Sequence, residues 1–362
     1  MIPIHQFSRI LLIRLRQIGD VIFTTPAVRA LRERFPAAHI TYIVEPAAAA
    51  IVERNPHITQ VIVAPKKAGP LQLAADLELA RQLRSARYDV AIDFHGGPRS
   101  SLLTWLSGAP VRIGYDVAGR SWMYTHRVRR PRVLRPRHSV ENQWDLLTAL
   151  DIAKPDRSTC PVEMPVDPDA ARSVDDRLTR AGVGKSDCLI VIHVSAGNPF
   201  RRWPIESFAT LVRTLVANEP ARRIVVTSGP SEHDAAEQVV AGARAALGPT
   251  RQPQVLSCGE FSLTELRALL DRASLYIGGD SGPLHVASTT RVPVVGLYGP
   301  TLPARSAPWR APEYVAEAVD IGELPCRPCD QRVCAPGDFR CLTWIRPAQV
   351  AEAAERALRY PG

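Results

Sequence analysis

Short apolar runs alternate with longer stretches of helical periodicity along the whole 362-residue chain. Arg9 to Leu15 (RILLIRL) is strand-length and nearly all apolar. After the loop Arg16-Gln-Ile-Gly19, positions Val21, Thr24, Val28, Leu31 and Phe35 repeat at the 3.6-residue period of a helix capped by Asp20. Pro26 falls early enough to be tolerated there or to bend the helix slightly. Ile40 to Val44, Gln60 to Ala64, Asp89 to Phe94 and Val111 to Tyr115 read as further strands, with helices over 47–54, 73–85 and 141–150. The stretch 151–169 carries prolines at 155, 161, 165 and 168 and little periodicity, which marks a linker. The alternation then resumes, with strands over 188–194, 223–228, 254–258, 274–278 and 293–298. Helices are expected over 169–181, 204–218, 232–247, 262–272 and 282–289, and a last amphipathic one over Pro347 to Leu358. Ser262 with Glu265 three residues on is a capping-box signature. Alternation of this kind builds parallel, doubly wound sheets. The expected organisation is an α/β chain of two Rossmann-like domains, 1–155 and 169–346, joined by the linker 156–168 and followed by a C-terminal helix in 347–362. Two such domains face a cleft into which the carboxyl ends of their strands open.

Composition narrows the partners. The longest apolar runs, such as Cys188 to Val194, fall far short of the roughly 20 residues of a spanning helix. The chain reaches its first strand with no charged-then-apolar leader, so a cytoplasmic location is expected. The formal charge of +9 is concentrated: between Arg120 and His138 stand seven arginines, two histidines and no acid. Nucleic acid, anionic lipid headgroups and phosphorylated saccharides would all be attracted, and a solvated basic loop is the plain alternative. Pro131 and Pro136 argue against a recognition helix, and 6% aromatic residues are thin for a stacking platform, so no nucleic-acid partner is expected.

Three strand-end loops can carry chemistry. Leu275-Tyr-Ile-Gly-Gly-Asp-Ser-Gly-Pro-Leu-His-Val-Ala287 joins a buried strand, a glycine break and a helix start. Glycine lets the backbone approach a ligand, and the first N–H groups of the helix point at it, which is how an anion site is made. Asp280 and Ser281 can cap that helix or bond ligand hydroxyls, and His285 follows one turn on. A capped turn without a ligand is the alternative. Ile192-His-Val-Ser-Ala-Gly-Asn-Pro-Phe-Arg-Arg-Trp-Pro204 repeats the logic, with two arginines beside exposed N–H groups suited to a diphosphate. Ser228-Gly-Pro-Ser-Glu-His233 is the third, where Glu232 can bond a ribose or simply face a helix dipole. No Walker lysine pattern and no complete GxGxxG after the first strand are present, which weakens ATPase and dinucleotide readings. Cys326, Cys329, Cys334 and Cys341 form C-x2-C-x4-C-x6-C, whereas Cys160, Cys188 and Cys258 are scattered. Four thiolates suit a tetrahedral structural zinc or iron site; free thiols and disulfides are the alternatives.

Together, R-x-x-x-I-G-D-V-x-x-T-T-P-A near the N-terminus, H-x-S-A-G-N-P-x-R-R-W-P, G-G-D-S-G-P-L-H-x-A and the strand Arg112-Ile-Gly-Tyr115 carry a family likeness. In order, in spacing and over essentially the whole chain, the sequence resembles glycosyltransferase family 9, the heptosyltransferases of lipopolysaccharide core assembly. The resemblance implies a GT-B fold, with an acceptor-binding N-terminal domain and a nucleotide-sugar-binding C-terminal one. It implies inverting transfer of heptose from ADP-L-glycero-D-manno-heptose to a lipopolysaccharide inner-core acceptor, lipid A–Kdo or a heptosyl sugar. It also implies that no metal or cofactor takes part in catalysis and that the enzyme is peripheral to the cytoplasmic face of the inner membrane. Asp20 matches the family's candidate general base. Ser195 and Arg201 match the diphosphate contacts, Arg201 standing where the family usually has lysine. Asp280, Ser281, Gly282 and His285 match the donor loop, Glu232 a ribose position and Phe261 an adenine flank. Gly19, Arg99, Arg120 and His138 fall to the acceptor side, where the basic 120–138 segment suits an anionic lipid-linked saccharide. Some members carry a cysteine cluster similar to Cys326, Cys329, Cys334 and Cys341. Other readings are a different nucleotide-sugar donor, a sugar-nucleotide epimerase of the same fold, and a polyanion-binding protein without activity.

Overall fold

In this computed structural model the chain is described over residues 7–129, 137–184 and 186–360. It divides into two compact units, Met1–Pro165 and Val166–Gly362. The first holds strands β1 (Arg9–Ile13), β2 (His39–Val44), β3 (Gln60–Val63), β4 (Val90–Asp93), β5 (Val111–Tyr115) and β6 (His126–Val128). The second holds β7 (Cys188–His193), β8 (Arg222–Thr227), β9 (Val255–Leu256), β10 (Leu275–Gly279), β11 (Val294–Leu297) and β12 (Ala316–Val319). Every pairing is parallel, in the orders β3-β2-β1-β4-β5-β6 and β12-β11-β10-β7-β8-β9. Counted from its own first strand, the second sheet has the order of the first. Each is the doubly wound arrangement whose order reverses between the first and fourth strands.

The central strands read as unbroken apolar runs because helices cover both sheet faces. Ile10, Leu11, Leu12 and Ile13 are all fully buried, although alternate residues point to opposite faces. Leu11 and Ile13 share one core with Leu79, Leu83 and Leu103. In the second unit Ile190 and Ile192 pack with Phe208, Leu211 and Val239. The C-terminal helix Pro347–Leu358 lays Val350, Ala354 and Ala357 into that same core, so it belongs to the second unit.

The expected elements recur with informative exceptions. The helix expected after the first loop is two helices, Ile18–Ile22 and Thr25–Arg34, with Pro26 in the first turn of the second, where its missing N–H costs nothing. The capping box at Ser262 is present: its Oγ accepts from Glu265 N at 3.2 Å, and Glu265 Oε2 accepts from Ser262 N at 2.9 Å. The helix Pro98–Leu106 and the edge strands β6 and β12 are additional to the expected set. Edge strands are short and half-exposed, so their apolar signal is weak. The proline-rich stretch is tied to the first unit up to Pro165: Glu163 N donates to Thr25 Oγ1 at 2.9 Å, and its carboxylate accepts from Arg29 and Asn55 at 3.1 Å each. Prolines bar a ladder there, yet Cys160, Val162 and Met164 alternate into the interior.

Candidate functional site

Between β1 and β4 the loops leaving two adjacent strands emerge side by side. The β1 loop runs into the helix Ile18–Ile22, which holds Gly19 and Asp20 in its first turn. Asp20 is not the cap. That position is Gln17, which makes no side-chain cap bond, and the Asp20 carboxylate pairs through Oδ2 with Arg14, a guanidinium only 9% exposed. Arg14 Nη1 donates in turn to Phe94 O at 2.5 Å on the β4 loop. A nearly buried cation requires a counter-charge, and that demand outweighs the helix N–H groups a cap would serve. Oδ1 of Asp20 has no partner among the described residues. Gln143 Nε2, donating to Asp20 O at 3.2 Å, buttresses the turn.

The β4 loop is organised by Asp93, fully buried at the strand end. Its Oδ1 accepts from the backbone N–H of His95 and Gly96 at 2.9 Å each, and its Oδ2 accepts from Ser100 Oγ at 2.9 Å and Tyr124 OH at 2.6 Å. Tyr124 reaches it across Gly114, where a Cβ would lie 2.3 Å from the ring, which is why the Arg112-Ile-Gly-Tyr115 strand has glycine. His95 points its buried Nδ1 at no partner. Burial and the nearby Arg14 push its pKa down, which keeps the imidazole neutral beside the Asp20 carboxylate.

The acceptor-side candidates separate. Arg120 Nη2 donates to Gly96 O at 3.3 Å and so stands on the Asp93 loop. Arg99 is bonded within the unit, to Asp76 at 2.7 Å, Pro65 O at 2.7 Å and Glu45 at 3.3 Å. His138 is buried, with Nδ1 accepting from Val140 N at 3.1 Å as a helix cap and its ring edge-on to Phe23. In the basic segment, Arg130, Arg132 and Arg135 lie outside the described residues, while Arg137 forks onto Asp145 at 2.5 and 2.8 Å.

In the second sheet the equivalent position lies between β7 and β10. Arg201, at the end of the turn Pro199–Arg201, donates from Nη1 to Asp280 O at 2.9 Å and faces Asp280 Oδ2 at 3.2 Å. Gly279 permits this approach, since a Cβ there would lie 3.1 Å from Arg201 O. Asp280 is buried; its Oδ2 also accepts from Thr301 Oγ1 at 2.5 Å, and His285 Nε2 stands 3.6 Å from Oδ1. Burial alone would push this carboxyl up, but His285, Arg201 and Thr301 outweigh it and hold the pKa at about 2. The helix that follows spans only Gly282–Ala287, shorter than expected, and Ser281 occupies its cap position without a side-chain bond, its Oγ buried and unpartnered. Nη2 of Arg201 has no partner among the described residues either. The positive end of this site is therefore Arg201 more than the six-residue helix.

Ser195 belongs to a relay joining two strand ends. Its Oγ accepts from Gly229 N at 2.7 Å and lies 2.9 Å from His193 Nε2, whose Nδ1 is 3.0 Å from Thr227 Oγ1. Burial pushes His193 down to about 4, so the ring is neutral and serves one neighbour as donor and the other as acceptor. In the Nε2–H tautomer the Ser195 proton is released to a ligand; in the other it is held by the ring. Glu232 Oε1 accepts from Arg202 Nη2 at 2.5 Å, and Arg202 Nε donates to Ala196 O at 2.8 Å, which ties the 228–233 loop to the 192–204 loop. Phe261 lies with the Arg177 guanidinium 3.9 Å from its ring centre.

Asp93, Arg14, His95 and Thr301 were not singled out in the sequence. Arg14, Asp93 and Thr301 become legible only through a partner on another loop, which no local spacing announces, and His95 only through its burial near Arg14 and Asp20. No two of the seven cysteines are joined by a disulfide. Burial and the neighbouring Cys329, Cys334 and Cys326 push Cys341 up to about 11. Among the described residues no group of three or more His, Cys, Asp or Glu is placed to hold a metal ion.

The model of glycosyltransferase family 9 (heptosyltransferase) matches residues 77–337. Lipopolysaccharide heptosyltransferase 3 of Escherichia coli is 29% identical over 347 residues, covering 94% of this chain and 96% of that protein. Among solved structures, the glycosyl transferase family 9 protein from Veillonella parvula superposes with a TM-score of 0.82 at 27% identity, over 98% of both chains. The Escherichia coli ADP-heptose lps heptosyltransferase II superposes at 0.74 and 21% identity, over 97% of this chain and 98% of that one, which extends the likeness of fold. A family match over well more than half the chain, on a fold with a loop array at each topological switch point, makes this protein a member of glycosyltransferase family 9, the heptosyltransferases.

Proposed function

We propose that this enzyme is an inverting heptosyltransferase that moves L-glycero-D-manno-heptose from its ADP conjugate to a sugar of the lipopolysaccharide inner core, a lipid A–Kdo or heptosyl unit. The observation that carries the reading is the Arg201–Asp280 array, in which a guanidinium is held on one edge and left open on the other. Its open Nη2, with the unpartnered Ser281 Oγ and the Ser195 hydroxyl, suits the two phosphates of ADP. Glu232 Oε2, opposite the edge bonded by Arg202, suits a ribose hydroxyl.

In the transfer, an acceptor hydroxyl oxygen attacks the anomeric carbon. The bond from that carbon to the phosphate oxygen breaks, and its electron pair leaves on ADP. Arg201 meets the charge developing on the leaving diphosphate, an interaction stronger in the transition state than before it. Asp20 takes the acceptor proton on Oδ1 while Arg14 holds Oδ2, so the ion pair orients the base without blocking it. Arg120, at the Gly96 carbonyl, supplies cationic surface for an anionic acceptor. The reaction as proposed draws on no metal or cofactor. Such acceptors are lipid-linked, and a peripheral site of action at the cytoplasmic face of the inner membrane follows. No helix among the described residues is long and apolar enough to cross a membrane, while Leu71, Leu73, Trp105 and Trp122 are exposed.

The test is ADP release from ADP-heptose in the presence and absence of a Kdo-lipid acceptor. Asp20→Asn is expected to leave ADP affinity within a few-fold of wild type and to lower turnover by about a hundredfold or more. Turnover near the wild-type value would remove Asp20 from the chemistry, and ADP release that ignores the acceptor would remove the transfer.

A further inference from the structure

The segment between β12 and the C-terminal helix is long and largely irregular, yet it is bolted in place. The Arg327 side chain, only 1% exposed, donates to Thr301 O at 2.9 Å, Gly322 O at 2.7 Å and Asp320 Oδ2 at 2.8 Å. Cys329 N donates to Pro300 O at 3.2 Å. The loop so gripped, Tyr298 to Thr301, is the one that sends Thr301 to Asp280. Two non-glycine residues of the segment have left-handed backbone, Gln331 at φ 59° and Phe339 at φ 51°. A side chain in that region is held there by its surroundings at some conformational cost. Both of these residues touch the turn Pro199–Arg201. Phe339 packs its ring edge-on to Phe200 at 5.2 Å between centres. Gln331 Oε1 accepts from Arg201 Nε at 2.7 Å and from Asn198 Nδ2 at 2.8 Å.

This accounts for the orientation of Arg201. Nε is taken by Gln331 and Nη1 by Asp280, which leaves Nη2 as the edge turned to a ligand. The acceptor at Nε is a neutral amide. Asp280 already balances part of the guanidinium charge, and a second carboxylate would oppose an incoming diphosphate. We propose that Gln331 is a positioning residue for the nucleotide sugar: its side-chain carbonyl locks Arg201 in the rotamer that presents Nη2 to the diphosphate. The cysteine-bearing segment is thereby part of the donor site. The proposal rests on the reading of Arg201 as a diphosphate contact.

A double-mutant cycle read by calorimetric binding of ADP to the full chain tests it. Gln331→Ala is expected to raise the ADP Kd about five- to tenfold, and Arg201→Ala about ten- to a hundredfold. The double variant should bind no more weakly than Arg201→Ala alone. Gln331→Gly accepts the left-handed backbone without a side chain, so it should lose affinity as Ala does while unfolding at the wild-type temperature. Gln331→Glu keeps an acceptor for Nε but adds charge, and it should bind ADP more weakly than Ala. Wild-type affinity in Gln331→Ala or Gln331→Gly beside a weakened Arg201→Ala overturns the proposal and leaves the donor site standing. An undiminished Gln331 effect in the Arg201→Ala background overturns it too. Wild-type affinity in Arg201→Ala would remove the donor-site reading itself, and the role of Gln331 with it.

Discussion

His193 makes the stability of the second unit depend on pH in a range where few groups titrate. Its ring is buried in the Thr227–His193–Ser195 relay, and burial holds its pKa at about 4, against 6.5 for an ordinary histidine. Above pH 6.5 the ring is neutral in both folded and unfolded chains and nothing is at stake. As pH falls below 6.5 the unfolded chain takes up a proton that the folded one refuses, so stability drops until the folded ring titrates near 4. One pKa unit is worth about 1.4 kcal/mol, so going from pH 7 to pH 5 should cost the second unit about 2 kcal/mol through this residue. Asp280, held at about 2 against an ordinary 3.8, is ionised throughout that interval; its own contribution is lost only below about pH 4. The assay is amide hydrogen exchange along β7 and β8 at pH 7 and pH 5, corrected for intrinsic rates, in wild type and His193→Gln. Glutamine can bond Ser195 but cannot titrate. The variant should be less stable at pH 7 and should lose about 2 kcal/mol less than wild type on acidification. Equal losses in the two proteins would show that the imidazole is not kept neutral, and the Ser195 tautomer argument would fall with it.

Two further outcomes concern the first unit. Gly114→Ala places a methyl 2.3 Å from the Tyr124 ring, so it should destabilise the unit by about 1–3 kcal/mol in urea unfolding, and far less in a Tyr124→Ala background. An equal cost in both backgrounds would mean that the two side chains do not compete for this space. Arg99→Ala strips the cation from Asp76 and Glu45, both mostly buried, and should cost about 3 kcal/mol of stability. Wild-type unfolding with weakened acceptor binding would return Arg99 to the ligand instead.

What could be read in advance depended on where the information lay. β1 and β7 were legible because a strand covered on both faces shows as a continuous apolar run. The Ser262 cap was legible because its partners are three residues apart. The array Ser195, Arg201, Asp280 was found as motifs, but its wiring was not: Asp280 is held by Thr301, and Arg201 by Gln331, from loops far away in sequence. Asp20 shows the limit most clearly. An acid before a helical pattern reads as a cap, and only the fold reveals a buried Arg14 that claims it. His138 is a related case: its place among basic residues suggests a ligand contact, and its role as the cap of a buried helix shows only in the fold.

The strand order also governs when each site comes into being. Ile10 pairs with Val90 and Leu275 with Ile190, so the central seam of each sheet is among its most distant pairings along the chain. Closing so long a loop is slow relative to local helix formation. On the ribosome, a chain halted before Val90 carries Asp20 but lacks the strand that delivers Phe94 to Arg14. One halted before Leu275 carries Arg201 but has nothing for Nη1 to grip. Each loop array is therefore a late product of its own unit. A nascent chain has neither loop array assembled until the innermost seam of that unit has closed.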